Sequence, residues 1–198
     1  SVGKHVMRAA AENLTPVTLE LGGKSPAIIS ADVPMQHAAE RIAWGKTLNA
    51  GQTCIAPDYV LVPENRRDEF VEQYRAAVQR FFPTLRDNPD YTAIITARQL
   101  QRLEGYLRDA EAQGARIVPL FPEGQDRRLP HSLLLDTRDD MKVMQEEIFG
   151  PLLPVLTYRT NAISLQPLRV TATERYEDGR WVAPARMQGN LQPPGAPL

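Results

Sequence analysis

Cys54 is the only cysteine among 198 residues and the side chain best suited to covalent chemistry. It lies in Asn49-Ala50-Gly51-Gln52-Thr53-Cys54-Ile55-Ala56-Pro57-Asp58, directly after a helical pattern. The glycine just ahead of the thiol lets backbone approach a substrate closely. A lone cysteine is a candidate nucleophile, although free cysteine also serves as a small buried hydrophobe. Thiol catalysis needs two further parts, a group that handles protons and donors for a developing oxyanion. Glu20 is the candidate for the first. It ends the apolar run Pro16-Val17-Thr18-Leu19-Glu20, expected to be a strand, and is followed at once by Leu21-Gly22-Gly23. Carboxylates at strand ends beside glycine turns are often site residues, because ligands gather outside the carboxyl edge of α/β sheets. The plainer alternative is a solvated strand-end glutamate. Glu146-Glu147-Ile148-Phe149-Gly150-Pro151 is the third unusual cluster, readable as part of a site or as a capped helix end and turn.

Histidine offers little competition. His37 falls on the polar side of its helix, and His131 follows Arg127-Arg128-Leu129-Pro130 as expected loop surface. Neither these nor His5 has a spacing that pairs it with Cys54, and no Cys/His spacing suits a metal.

The elements that must position these groups alternate between strand and helix. A helix is expected from about Lys4 to Asn13, with Gly3 at its start, where a backbone N–H group can face an anion. Ala27-Ile28-Ile29 has the unbroken apolar character of a buried parallel strand. A half-buried helix follows from Asp32 and Pro34 to about Leu48, with Ala38, Ala39, Ile42 and Ala43 on its apolar face. Tyr59–Val62 is the next strand. One helix then carries Phe70, Tyr74, Val78 and Phe81, and another, about Ala97 to Gln113, carries Leu100, Leu103, Leu107 and Ala110. Gly114 is suited to cap the latter. Ile117-Val118, Leu133–Leu135 and Leu153–Leu156 complete the strands. This order predicts an α/β domain with a largely parallel sheet covered on both faces. From about Asn161 onward no period is sustained; the end is rich in proline and glycine, with one candidate strand around Trp181-Val182.

Composition excludes several classes. A hydrophobic share of 42%, a charged share of 24% and a net charge of −1 describe an ordinary globular chain with no electrostatic case for nucleic acid. No apolar run approaches the roughly 20 residues that span a bilayer. A single cysteine allows no intrachain disulfide, which fits a reducing, cytoplasmic compartment.

Taken together, the three clusters resemble a known family. Leu19-Glu20-Leu21-Gly22-Gly23-Lys24-Ser25-Pro26 is similar to the glutamate motif of aldehyde dehydrogenases, Gly51–Asp58 to their cysteine motif, and Glu146–Pro151 to their late cofactor motif. Trp44-Gly45-Lys46 and Ala56-Pro57-Asp58-Tyr59 are most similar to the class-3-like branch, with a leaning toward coniferyl aldehyde dehydrogenases. The resemblance covers about residues 1 to 158. It implies an α/β catalytic domain of the aldehyde dehydrogenase fold, a largely parallel open sheet with flanking helices, incomplete at both ends. Residues 1–23 would end the cofactor-binding domain, 24–159 would be a partial catalytic domain, and 160–198 an irregular tail without a counterpart. The resemblance further implies oxidation of a small-molecule aldehyde to a carboxylic acid with NAD or NADP. Cys54 would be the nucleophile and Glu20 the general base. Gly3, Leu21, Gly22, Glu147 and Phe149 would line the cofactor, and a full-length member would form a homodimer. The alternatives are an inactive fragment and a thiol-based esterase or hydrolase.

Overall fold

A computed structural model describes residues 2–159, together with the strand backbone at Arg175–Glu177 and Arg180–Val182. The rest of the expected tail lies outside the described residues. Helix α1 (Val2–Glu12) leads through an irregular segment to strand β1 (Pro26–Ile28). Helix α2 (Met35–Thr47) runs into a one-turn 3-10 segment, Leu48–Gly51, and then to β2 (Tyr59–Pro63). Helices α3 (Arg67–Phe81) and α4 (Ala97–Ala112) precede β3 (Arg116–Pro119) and β4 (Ser132–Leu135). A single turn, α5 (Lys142–Gln145), leads to β5 (Leu152–Tyr158). Strands β6 (Arg175–Glu177) and β7 (Arg180–Val182) pair as a separate antiparallel hairpin, which contains the candidate strand at Trp181-Val182.

The main sheet has the order β1-β2-β5-β4-β3. The β1–β2, β2–β5 and β5–β4 pairs are parallel, and only the edge pair β3–β4 is antiparallel. The expected largely parallel α/β sheet is therefore present. Its residues divide by the two-residue period of a strand. Leu133, Leu135, Leu153 and Val155 join the core under α2 and α3, with Phe70, Tyr74 and Val78. Leu134 and Leu152 point the other way, into the core under α4 with Leu103, Tyr106 and Ala110. Both faces of β4 and of the start of β5 are covered, so these strands are apolar throughout instead of alternating.

Helix ends follow local chemistry. The Thr96 hydroxyl accepts from Gln99 N and caps α4, and Gly114 just past its end takes the left-handed φ of +94°. That conformation costs glycine nothing, as expected from the sequence.

Three expectations fail. The strand at Ala27–Ile29 is not buried throughout, because β1 lies at the edge of the sheet and Ile28 is exposed. Pro16–Glu20 is not a strand: it has no regular secondary structure, and no described strand pairs with it. An apolar run satisfies its backbone groups as a strand only beside a ladder partner, and here none is supplied. His131 is not loop surface but fully buried, stacked against Tyr74 and hydrogen-bonded to its hydroxyl at 2.8 Å. The polar partner that admits an imidazole to the core comes from α3, 57 residues away in sequence.

Candidate active site

All three motifs precede strands. Glu20–Ser25 leads into β1, Cys54–Asp58 into β2, and Glu146–Pro151 into β5. Because these strands are parallel, the motifs meet at the amino edge of the sheet, opposite to the carboxyl edge expected for Glu20. The strand placement of Glu20 that supported that expectation is the one the fold lacks.

One ion pair joins the motifs. Lys24, from the glutamate motif, pairs with Asp58, the last residue of the cysteine motif. Lys24 Nζ also donates to Val143 O (3.0 Å) and Glu146 O (2.9 Å). Asp58 is buried and accepts from Ile148 N through Oδ1 at 2.9 Å, while its own amide donates to Ser25 O at 2.8 Å. A buried carboxylate is tolerated only when paired and hydrogen-bonded, and Asp58 has both. The pair is thus a mechanical joint for three segments distant in sequence. Arg102 on α4 fixes the last of them from the other side, donating to Glu147 O (3.2 Å) and Ile148 O (2.7 Å). Tyr106 adds a 2.6 Å bond to the Glu146 carboxylate. Sequence reasoning assigned no role to Lys24, Asp58, Arg102 or Tyr106. Opposite charges flanking two apolar strands were the available signal for the first two, and α4 gave none.

The turn before Cys54 is conformationally strained. Asn49 (φ 51°, ψ 34°) and Ala50 (φ 54°, ψ 34°) are left-handed, and Gly51 follows at φ 73°. Such geometry costs an L-residue roughly 1–2 kcal/mol. Three sets of contacts hold it. The Asn49 side chain donates to Gln52 O at 3.1 Å, and Gln52 N and Nε2 return bonds to Asn49 O at 3.1 and 3.0 Å. Gln52 also reaches the segment before α4, donating to Ala93 O (3.2 Å) and accepting from Ile95 N (3.0 Å). Gly51 packs so closely on Gly150 that a Cβ would lie 2.9 Å from its carbonyl carbon. Beyond this turn Cys54 is exposed, and its amide makes no hydrogen bond among the described residues. An exposed thiol beside an uncommitted N–H is what an attacking sulfur and an incipient oxyanion require.

The candidate cofactor residues form a chain of contacts. Gly3, buried in the first turn of α1, lies under Leu21, where a Cβ would come within 2.9 Å of Leu21 Cδ2. Gly22 (φ 82°) faces Glu147, and a Cβ there would lie 2.9 Å from Oε1. Gly3, Leu21, Gly22 and Glu147 are therefore brought together, with Glu147 half-buried. Phe149 projects from a left-handed residue (φ 49°) and remains partly exposed. Glu20 is exposed on its irregular segment, and no hydrogen bond among the described residues joins it to Cys54. The two share one edge of the sheet.

Beneath this edge lies a buried cation. Lys46 in the last turn of α2 is fully buried, and burial depresses its ammonium to about 8 against the opposing pull of Asp58. Among the described residues no cluster of His, Cys, Asp and Glu could hold a metal ion, and no helix is long and apolar enough to cross a membrane.

A profile described as the aldehyde dehydrogenase family matches residues 1–166. A probable coniferyl aldehyde dehydrogenase of Pseudomonas aeruginosa is 76% identical over 158 residues, which is 80% of this chain and 33% of that protein. That name agrees with the leaning read from the motifs. Among solved structures, the substrate-bound AldH of Staphylococcus aureus superposes with a TM-score of 0.71 at 42% identity, covering 80% of this chain and 34% of that one. An aldehyde dehydrogenase of Mycobacterium tuberculosis complexed with NAD+ gives 0.68 at 39% identity, covering 80% and 34%. The chain spans about a third of the length of these relatives. With the three motifs joined at one sheet edge and this family profile over most of its length, the chain belongs to the aldehyde dehydrogenase family.

Proposed function

We propose that this chain carries the thiol centre of an NAD(P)+-dependent aldehyde dehydrogenase and oxidises an aldehyde to its carboxylic acid when the rest of the enzyme is present. The observation that carries this reading is the Lys24–Asp58–Ile148 joint, which sets the glutamate, cysteine and late motifs on one edge. The Cys54 sulfur would add to the aldehyde carbonyl, and its own amide N–H would receive the developing oxyanion. A nicotinamide cofactor, which Gly22, Glu147 and Phe149 would line, would supply the hydride acceptor needed to turn the resulting thiohemiacetal into a thioester. Glu20, which is exposed, would then take a proton from the water that releases the acid and restores the thiolate.

The residues present fit the cofactor role given to them. Glu147 offers two carboxylate oxygens to ribose hydroxyls, and Gly22, whose left-handed φ of 82° disfavours any side chain, keeps the approach open. Phe149, partly exposed next to it, supplies an apolar surface for the ring. The name of the Pseudomonas relative supports a coniferyl-type, aromatic aldehyde as substrate, and the NAD+ complex of the Mycobacterium relative supports NAD+ as the cofactor.

The test is aldehyde-dependent NADH formation by this chain extended with the flanking segments its relatives possess. Cys54→Ala and Glu20→Gln should each abolish the acid product. Ester hydrolysis by Cys54 without any NADH would establish the esterase instead. Calorimetric titration of the 198-residue chain alone should show only weak NAD+ binding, because most of the relatives' length is not in it.

A further inference from the structure

Two fully buried nitrogen atoms have no hydrogen-bond partner among the described residues, Lys46 Nζ and His131 Nδ1. Buried polar atoms left in this state are uncommon and need an explanation. Their backbones flank the Gly150-Pro151 peptide that leads into β5, and the Lys46 charge acts on His131. On one side Gly51 is wedged between Gly150 and the Lys46 carbonyl, where a Cβ would meet Lys46 O at 3.1 Å. On the other, Ser132, the neighbour of His131, donates its amide to Pro151 O at 3.0 Å. Gly150 and Pro151 are consecutive, so α2 and the entry to β4 face each other across one peptide unit.

Their chemistry is complementary. An ammonium has three donors and no acceptor. A neutral imidazole has one donor and one acceptor nitrogen, and the bond made by one nitrogen sets the state of the other. If His131 Nδ1 carried the proton, a donor would face a cation and both would stay unsatisfied. If Nε2 carries it, Nε2–H donates to the Tyr74 oxygen, 2.8 Å away, and the bare Nδ1 can accept on the Lys46 side. We infer that Lys46, His131 and Tyr74 form one buried chain, in which Lys46 Nζ donates to a single buried water, that water donates to His131 Nδ1, and His131 Nε2 donates to Tyr74. The chain fastens the last turn of α2, and with it the strained turn before Cys54, to β4 and α3. Lys46 and His131 are positioning residues in this arrangement and touch no substrate.

The electrostatics agree. Burial, followed by the Lys46 charge, holds the His131 imidazole down at about 3, so it is neutral at physiological pH. The other charged groups facing Lys46 are Asp58 before β2, Lys24 before β1 and Glu147 before β5. The inference is independent of the proposed reaction, since it concerns protonation and hydrogen bonding in the chain itself.

Heteronuclear magnetic resonance of the 198-residue chain, isotope-labelled at histidine, tests it directly. His131 should show the neutral Nε2–H tautomer throughout about pH 5 to 8. The Nδ1–H tautomer, or protonation of His131 within that range, overturns the inference. Lys46→Met should move the His131 Nδ1 resonance, and an unmoved resonance is equally fatal. Hydrogen exchange at the Gln52 amide, bonded to Asn49 O, should accelerate about tenfold in His131→Phe but stay within about twofold of wild type in His131→Asn, whose amide oxygen replaces Nδ1. Equal acceleration in both variants refutes the fastening role. Should every variant fail to fold, the tautomer of the unmodified chain still decides.

Discussion

Replacing Asp58 should cost more than its modest size suggests, because three motifs depend on one carboxylate. Asp58 is 3% exposed and the side chain of Lys24 18%, so their pair is shielded from water and only weakly screened by salt. Removing one partner of a buried pair costs about 3–5 kcal/mol, since the other charge stays behind. Asp58→Asn keeps an oxygen for Ile148 N but turns amide hydrogens toward the ammonium, and about 3 kcal/mol is expected. Asp58→Ala also strands the Ile148 N–H, adding roughly 1–3 kcal/mol. Against a total stability of about 5–15 kcal/mol, the alanine variant approaches unfolding. The control is Asp140→Asn, which breaks an exposed pair with Arg138 and should cost under about 1 kcal/mol. Urea unfolding followed by circular dichroism gives all three values. Asp58→Asn and Asp58→Ala both within about 1 kcal/mol of the control would refute the claim that this pair joins the motifs.

Two further outcomes follow from the same geometry. Gly51→Ala puts a methyl group against Gly150 at a left-handed φ, so it should destabilise by at least about 2 kcal/mol and disorder the turn before Cys54, visible as faster exchange of the Gln52 amide. His131, held near 3 in the folded chain against 6.5 unfolded, makes the unfolded chain bind the extra proton; its contribution is complete above about 6.5 and is lost as pH falls toward 3. Between about pH 7.5 and 5, wild type should therefore lose about 2 kcal/mol more than His131→Phe in parallel urea titrations, and equal losses would count against a neutral buried imidazole.

Much of this protein was legible in local chemistry. Helix α4 followed from its apolar spacing and the Gly114 cap, and the β4 and β5 strands from their unbroken apolar runs, since each signal needs only neighbours in sequence. The cysteine, glutamate and late motifs were equally visible, because reactive side chains and glycines are identifiable by type. What sequence could not supply was contact between distant segments. The strand expected at Pro16–Glu20 has no described ladder partner, and the burial of His131 depends on a tyrosine from α3. The amino-edge location of the site follows from the direction in which β1, β2 and β5 run side by side. The pairing of Lys24 with Asp58 and the burial of Lys46 likewise arise only when those strands assemble. Residue types fixed which chemistry was available. Burial and hydrogen bonding between segments far apart in sequence decided which side chains hold the turn before Cys54 in place, because both are properties of packed neighbours and not of the chain read in order.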